Sequence, residues 1–90
     1  MKIFLSPQRS DRKIEYKFEK EKITVTTDDM SDTFDFSSMP DGIMYEVETT
    51  LDINPIISAK RLEGVLYVEL LNFIDENATE EEKFPEWQEV

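Results

Sequence analysis

The stretch IISAKRLEGVLYVELLNF, residues 56–73, decides the fold, because it is the most apolar run in a very acidic chain. Its two halves, Ile56 to Leu62 and Val65 to Phe73, are rich in β-branched and aromatic residues, which is typical of strands. Glu63-Gly64 separates them, and glycine accepts the positive φ that tight hairpin turns require. The stretch therefore predicts a β-hairpin, while a helix over Val65 to Ile74 stays open because short apolar runs are ambiguous.

The second half of this hairpin is apolar on both faces. One face holds Leu66, Val68 and Leu70, and the other holds Val65, Tyr67, Leu71 and Phe73. Only Glu69 interrupts the second face, and we expect it to pair with Lys60 or Arg61 across the hairpin. A strand that is apolar on both faces is normally central in its sheet and covered on both sides. We therefore expect two layers against this strand, the second supplied by the chain itself or by a partner protein.

Shorter segments with strand patterns precede this hairpin. Residues 14–18 and 23–26 alternate apolar and polar side chains, and the charged tip between them predicts a second hairpin. Ser37 to Gly42 holds stacked turn signals that should reverse the chain. The predicted strands are Lys2 to Leu5, ended by Ser6-Pro7 because proline lacks an amide donor, Ile14 to Phe18, Ile23 to Thr26, Thr33 to Phe36 and Ile43 to Val47, with Glu48 to Pro55 irregular.

The last sixteen residues, DENATEEEKFPEWQEV, differ in composition from the rest. They are acidic and poor in aliphatic side chains, which favours disorder. Phe84 and Trp87 favour docking instead, because an indole buries a large area at low entropy cost. We therefore divide the chain into a β domain, residues 1–74, and an acidic tail, residues 75–90, that is either disordered or docked through Phe84 and Trp87.

Ninety residues make one domain at most. The predicted fold class is mainly β, a single small antiparallel sheet or sandwich-like domain of about six or seven short strands with an acidic C-terminal tail. The opening MKIFLSPQRSDRK holds too short an apolar segment for an export signal, and no run reaches the ~20 apolar residues that span a bilayer. We expect a soluble protein that acts where it is made.

The net charge of −11 disfavours several kinds of partner. Residues 1–22 carry a net +3, residues 23–56 carry eight acids and no base, and residues 75–90 carry a net −6. Such a surface repels phosphate, so we expect neither a nucleic-acid partner nor an anionic membrane surface. The only basic cluster, Arg9, Arg12 and Lys13, is expected to meet the protein's own acids or an acidic partner.

Catalytic and metal-binding patterns are weak. The chain has neither histidine nor cysteine, which removes the usual general base, the usual transition-metal ligands and thiol chemistry. The acids from Asp28 to Asp35 lack the spacing of a calcium loop, so turn chemistry is the favoured interpretation. Glu46, Glu48 and Glu69 could be paired as glycosidase carboxylates, but among 21 acids such pairs carry little weight. We expect no enzyme, no cofactor and no bound metal.

Five segments together resemble a known group of proteins. They are MKIFLSP, ITVTTDD, TFDFSSMPDG, PIISAKRLEGVLYVELL and the closing FPEWQEV. In this order they are similar to small uncharacterised phage and prophage proteins encoded in the tail region, near tail-fibre and tail-assembly genes. The resemblance covers nearly the whole chain, but its motifs are turn and core residues, and none is a catalytic signature. The chain lacks the Asn-Gly or Gly-Asp turns of that pattern around Lys20-Glu21 and Asp28-Asp29, which leaves the geometry of those turns open.

The resemblance implies a genomic neighbourhood, and with it we expect a non-enzymatic phage accessory protein that binds a tail or tail-assembly protein. It would act in the host cytoplasm or in association with the virion, and open sheet edges also favour a homodimer. The alternative is an acidic DNA mimic or host-protein inhibitor that uses the carboxylates of residues 23–56, although acidity also serves solubility. The predicted partner-binding residues are Tyr67, Leu71, Phe73, Phe84 and Trp87.

Overall fold

The computed structural model describes residues 1–90 and is mainly β, with 53% of the residues in strands and 4% in helix. This confirms the fold class. Eight strands form two sheets. The elements are β1 (Lys2–Arg9), β2 (Ile14–Glu19), β3 (Lys22–Thr27), β4 (Met30–Asp35), β5 (Gly42–Met44), β6 (Ile56–Leu62), β7 (Val65–Ile74), α1 (Glu80–Lys83) and β8 (Gln88–Glu89).

The larger sheet has five strands in the order β5-β6-β7-β1-β8, with β7 in the middle. Its pairs are antiparallel except for β1 and β7, which run parallel from Lys2↔Tyr67 to Arg9↔Ile74. Parallel neighbours need a long crossover connection. Here the crossover contains the smaller sheet, a three-stranded antiparallel meander in the order β2-β3-β4. The sequence pattern shows which segments are strands, but it carries no signal for the direction of this pair.

The hydrophobic core lies between the two sheets. Alternate side chains of every long strand point into it, as the period of two requires. It also takes Leu51 from the segment between β5 and β6, which is 7% exposed. The buried members are Ile3, Ile56, Ala59, Leu66, Val68 and Leu70 from the larger sheet, Ile23, Val25 and Phe34 from the smaller sheet, Phe36 just after it, and Leu51.

The hairpin predicted from residues 56–73 is confirmed, and the helical alternative is wrong. Glu63 and Gly64 form its two-residue turn with φ of 50° and 82°. The other two hairpins also have two-residue turns, Lys20-Glu21 and Asp28-Asp29, and in each the first residue has a positive φ, 56° for Lys20 and 50° for Asp28. These turns form without glycine, and the pairing of β2 with β3 and of β3 with β4 fixes their register.

Strand β1 is longer than predicted. The prediction that Pro7 ends it is wrong, because the strand continues to Arg9. Ser10 donates its amide to the carbonyl oxygen of Ile74 on β7 at 3.1 Å. Amides alternate sides along a strand, so Pro7 faces away from β7. On that side β8 reaches only Lys2 and Ile3, and the missing amide of Pro7 breaks no hydrogen bond.

The chain between β5 and β6 is irregular, as predicted for Glu48 to Pro55, and β5 ends at Met44 rather than Val47. Asp32 of β4 holds this segment: its carboxylate accepts hydrogen bonds from the Thr49 hydroxyl at 2.8 Å and the Thr50 amide at 3.1 Å. These bonds lower the pKa of Asp32, the Thr50 amide contributing most. They bring Leu51 into the core.

The acidic tail runs along the edge of β1. Helix α1 begins with a capping box, in which the Thr79 hydroxyl accepts the Glu82 amide and the Glu82 carboxylate accepts the Thr79 amide. The chain then runs to β8, which pairs with Lys2 and Ile3. With only four residues in its one helix, the structure holds no helix long and apolar enough to cross a membrane.

Candidate functional site

The face of the larger sheet that points away from the core, here called the outer face, is the most unusual surface of the molecule. Strand β7 presents Leu66, Val68 and Leu70 to the core, each at most 1% exposed. Its alternate side chains lie on the outer face, where Val65 is exposed and the others are only half-buried. No second sheet covers them. The side chains of β1 and β7 on the outer face are Lys2, Phe4, Ser6, Gln8, Val65, Tyr67, Glu69, Leu71 and Phe73.

Trp87 is the tail residue that rests on this face. Its ring centroid lies 5.5 Å from that of Phe4 and 5.6 Å from that of Tyr67, with an interplanar angle of 86° to Tyr67. Such edge-to-face contacts are favourable because the positive ring edge meets the negative ring face. The Trp87 side chain is nevertheless 45% exposed. The three rings form one aromatic cluster that is open to solvent.

Two lysines flank the aromatic cluster. The Nζ atoms of Lys2 and Lys60 lie 5.7 Å and 5.4 Å from the centroid of the Tyr67 ring. Contacts within about 6 Å are attractive for a cation on an aromatic face. Neither lysine forms a salt bridge. The cluster therefore carries positive charge on a protein whose net charge is −11.

The structure brings four of the five predicted partner-binding residues to the outer face. Tyr67, Leu71 and Phe73 lie on it in β7, and Trp87 packs against Tyr67. Phe84 is separate: it is 73% exposed and belongs to none of the aromatic pairs. It lies with Trp87 along a shallow depression bordered by glutamates of the tail.

Several outer-face residues escaped the sequence analysis. Phe4 stands opposite Glu69 only because β1 pairs with β7, and that parallel pairing leaves no local signal. Ile43 and Leu62 are 58% and 49% exposed, and together with Val65, which the sequence had already placed on this face, they extend the apolar surface towards β5. Their apolar character was visible in the sequence. Their exposure was not, because it depends on which face of the sheet has no second layer packed on it.

The predicted pairing of Glu69 with Lys60 or Arg61 is wrong. Glu69 stands opposite Ser58 on β6 and Phe4 on β1. Lys60 stands opposite Tyr67, and Arg61 binds Glu21 of the smaller sheet. The error came from treating the hairpin alone, whereas the bulge between Ile56 and Ser58 and the second sheet decide these neighbours.

Arg61 joins the two sheets. Its guanidinium donates two hydrogen bonds to the Glu21 carboxylate, at 2.9 and 3.1 Å. It also donates to the carbonyl oxygens of Met39, Phe36 and Gly64, at 2.7, 2.9 and 3.0 Å. Its side chain is only 11% exposed. The hydrogen bonds between Arg61 and Glu21 lower the pKa of the Glu21 carboxyl and raise the pKa of the Arg61 guanidinium.

Arg12 makes the exposed counterpart of this contact. It binds Asp28 at 2.9 Å and Asp52 at 3.1 Å, and both carboxylates are 58% exposed. The expectation that the basic cluster meets the protein's own acids is confirmed for Arg12. Pairs of this kind at the surface contribute little to stability because water and salt screen them.

Acidic side chains of β4 and of the turn before it accept hydrogen bonds from other groups of the protein. Asp35 accepts the Ser37 amide at 2.9 Å, and hydrogen bonds from Ser37 lower its pKa. Asp32 holds Thr49 and Thr50, and Asp28 holds Arg12. No group of three or more His, Cys, Asp or Glu side chains is placed to hold a metal ion.

Comparisons with known proteins identify no relative of this chain. A scan against protein-family models and searches of the curated proteins and the solved structures found no match. The outer face must therefore be interpreted from its own residues.

Proposed function

We propose that the protein is a non-enzymatic phage or prophage accessory protein, and that its outer face binds a tail or tail-assembly protein. One observation carries the proposal: the central strand β7 is apolar on both faces, but a layer of the fold covers only one. Central strands with two apolar faces normally lie between two layers. A partner protein would be the second layer. The resemblance of the chain to tail-region proteins supplies the expected class of partner.

The chemistry of the outer face suits a protein partner. Interface centres are rich in aromatic side chains, and tryptophan and tyrosine are over-represented among residues that dominate binding energy. Trp87, Tyr67 and Phe4 form such a centre, and Leu71 and Phe73 continue it along β7. Lys2 and Lys60 at its margin would favour a partner with acidic groups near its contact surface.

Catalysis finds less support. The carboxyls with a shifted pKa, Glu21, Asp32 and Asp35, are all shifted downward by hydrogen bonds. A general acid at neutral pH requires the opposite shift. The surface concavities are open, and the one bordered by Arg61 and Tyr67 lies at the end of the hairpin, where Asp41 and Glu63 also line it.

The acidic DNA mimic is the second candidate, and the structure supports it less than the first. Its strongest argument is the run of eight acids without a base in residues 23–56. Five of these acids accept hydrogen bonds inside the protein. They are Asp28, Asp32, Asp35, Asp41 and Asp52. Carboxylates that already accept hydrogen bonds from the protein are less available to imitate a row of phosphates.

The proposed setting follows from the same resemblance. We place the protein in the host cytoplasm during assembly, or on the virion with its partner. The negative surface disfavours nucleic acid and anionic membranes as partners.

Affinity capture from infected or induced cells tests the proposal. Full-length protein should recover a phage tail or assembly protein. The single variants Tyr67→Ala and Trp87→Ala should each reduce recovery about tenfold or more. Met30→Ala is the matched control, because Met30 is 44% exposed but lies on β4 of the smaller sheet. Melting curves of each variant would exclude unfolding as the cause.

Salt separates the two candidates. An apolar contact through the outer face should survive about 0.5 M NaCl, whereas a phosphate mimic should release a basic host protein. Recovery of the same proteins by wild type and by both outer-face variants would contradict the proposal. Recovery of a basic host protein that is lost in salt would favour the mimic.

A further inference from the structure

The two sheets leave open strand edges, and most of them carry features that prevent another strand from pairing. Open edges of natural sheets are usually protected by charges, proline or short length. Strand β5 is also short, with three residues, but it carries neither a charge nor a proline. The protected edges are β2 with Glu15, Lys17 and Glu19, β4 with Asp32 and Asp35, β1 with Pro7 and Arg9 beyond the end of β8, and β8 with two residues, one of them Glu89.

Strand β5 and the residue after it form an apolar edge that neither charge nor proline protects. Ile43, Met44 and Tyr45 are 58%, 36% and 71% exposed, and residues 42–45 include neither a charge nor a proline. Tyr45 and Glu46, which follow the strand, make no hydrogen bond with the rest of the protein. Their backbone groups are free to pair with an added strand.

We propose that the β5 edge binds an extended segment of the partner as an additional strand of the larger sheet, and that this segment is apolar with a basic residue at each end. The inference rests on the proposed function, because it names a second contact with the same partner. Ile43 stands opposite Lys60, which stands opposite Tyr67. Ile43 therefore lies on the outer face, and an added strand would continue the docking surface beyond β5.

The charges at the two ends of the edge decide the occupant. Asp41 precedes β5 and Glu46 follows Tyr45. If a second copy of this chain paired antiparallel with the edge, Asp41 of each copy would lie at the same end of the pair as Glu46 of the other. Like charges brought close together repel each other. A segment with lysine or arginine at both ends would instead meet an acid at each end, in either strand direction.

A displayed library of random peptides of about twelve residues tests the proposal, with immobilised full-length protein as the target. The expected enriched peptides alternate apolar residues over four or five positions and carry Lys or Arg on both sides. Replacement of the basic ends by glutamate should weaken a selected peptide about tenfold or more at low salt. Enrichment of peptides without alternation or with acidic ends, or no enrichment, would overturn the proposal.

Two variants locate the binding edge. Tyr45→Pro blocks strand addition without removing a native hydrogen bond, and Met44 before it is already in a strand, as a residue before proline prefers. Ile43→Lys protects the edge by charge and serves if the proline variant melts early. Both should abolish peptide binding, while Ser31→Lys on β4 should not. Retained binding in folded Tyr45→Pro and Ile43→Lys would overturn the proposal.

The oligomeric state and the cellular partner complete the test. Light scattering should find a monomer at low salt, and a dimer that Tyr45→Pro dissociates would overturn the assignment of a foreign strand. If the Tyr67 and Trp87 variants lose the cellular partner and Tyr45→Pro retains it fully, the β5 inference fails and the proposed function stands. If the Tyr67 and Trp87 variants retain the partner, the proposed function itself fails.

Discussion

The two faces of β7 have similar sequences and different surroundings. The inner face holds Leu66, Val68 and Leu70, at most 1% exposed under the smaller sheet. The outer face holds Tyr67, Leu71 and Phe73, half-buried and crossed only by the tail with Trp87. Apolar character alone therefore does not determine burial; the layer packed against each face does. The inner face stabilises the fold, and the outer face stays partly in contact with water.

The adjacent leucines Leu70 and Leu71 give the sharpest test of this difference. Leu70→Ala should lower the free energy of unfolding by about 2–5 kcal/mol, because Leu70 is fully buried and its truncation leaves a cavity. Leu71→Ala should cost about 1 kcal/mol, because its side chain is already partly in water. Urea denaturation of both variants measures the two values. Equal losses would show that the outer face is as well packed as the inner one.

The next largest effect concerns Arg61, whose hydrogen bonds hold the smaller sheet over the inner face. Arg61→Met removes five hydrogen bonds and leaves Glu21 and three backbone carbonyls without their partner. We expect its melting temperature to fall by about 10 °C or more. Arg12→Met removes only ion pairs at the surface, so this variant should melt within about 3 °C of wild type. Similar shifts in calorimetry would contradict the distinction between the two arginines.

A smaller effect is expected at Tyr16, which lies under the end of β7. Its hydroxyl donates to the carbonyl oxygen of Leu71, beyond the point where β6 begins to pair with β7. Tyr16→Phe should therefore lower the free energy of unfolding by about 1 kcal/mol in neutral solution. The same denaturation experiment measures it.

Burial also raises the pKa of Tyr16 above its ordinary value. The folded state then keeps the phenol proton where the unfolded state loses it. The stabilisation is complete below the unfolded pKa of about 10 and is lost as pH rises from there through the folded pKa. Wild type should lose more stability than Tyr16→Phe when the pH is raised above about 10. Parallel losses in the two proteins would contradict the role of Tyr16.

The smallest effect is a gain at Thr27. This residue is 1% exposed, and its hydroxyl has no hydrogen-bond partner. Thr27→Val keeps the shape and removes the unsatisfied group, so we expect stability to rise by about 1 kcal/mol. A loss of stability on denaturation would show that the hydroxyl has a partner in solution.

The sequence predicted the elements whose signals are local. Alternation fixed the hairpins at residues 14–27 and 56–74, and Glu63-Gly64 marked the turn of the second. Phe34 and Phe36 lie two positions apart in the predicted strand Thr33 to Phe36, and both are buried. These features depend on neighbours along the chain, which a pattern records.

Contacts between distant segments could not be predicted. The parallel pairing of β1 with β7 joins Lys2 to Tyr67, and no local pattern encodes it. Phe4 enters the aromatic cluster only through that pairing. Arg61 and Arg12 have the same side chain. Only the tertiary structure shows that the ion pair of Arg61 is largely buried and that the ion pairs of Arg12 are exposed. Tyr67 was named from the pattern of its strand and Trp87 from the composition of the tail, but their contact depends on the course of the tail.

Fluorescence of Trp87 tests the central claim most directly, because it is the only tryptophan in the chain and lies on the outer face. Its side chain is 45% exposed in the free protein, so acrylamide should quench it readily. Adding the partner recovered by affinity capture should reduce quenching by about twofold or more, since the ring becomes buried in the interface. Unchanged quenching at saturating partner would contradict the claim that the outer face is the docking surface.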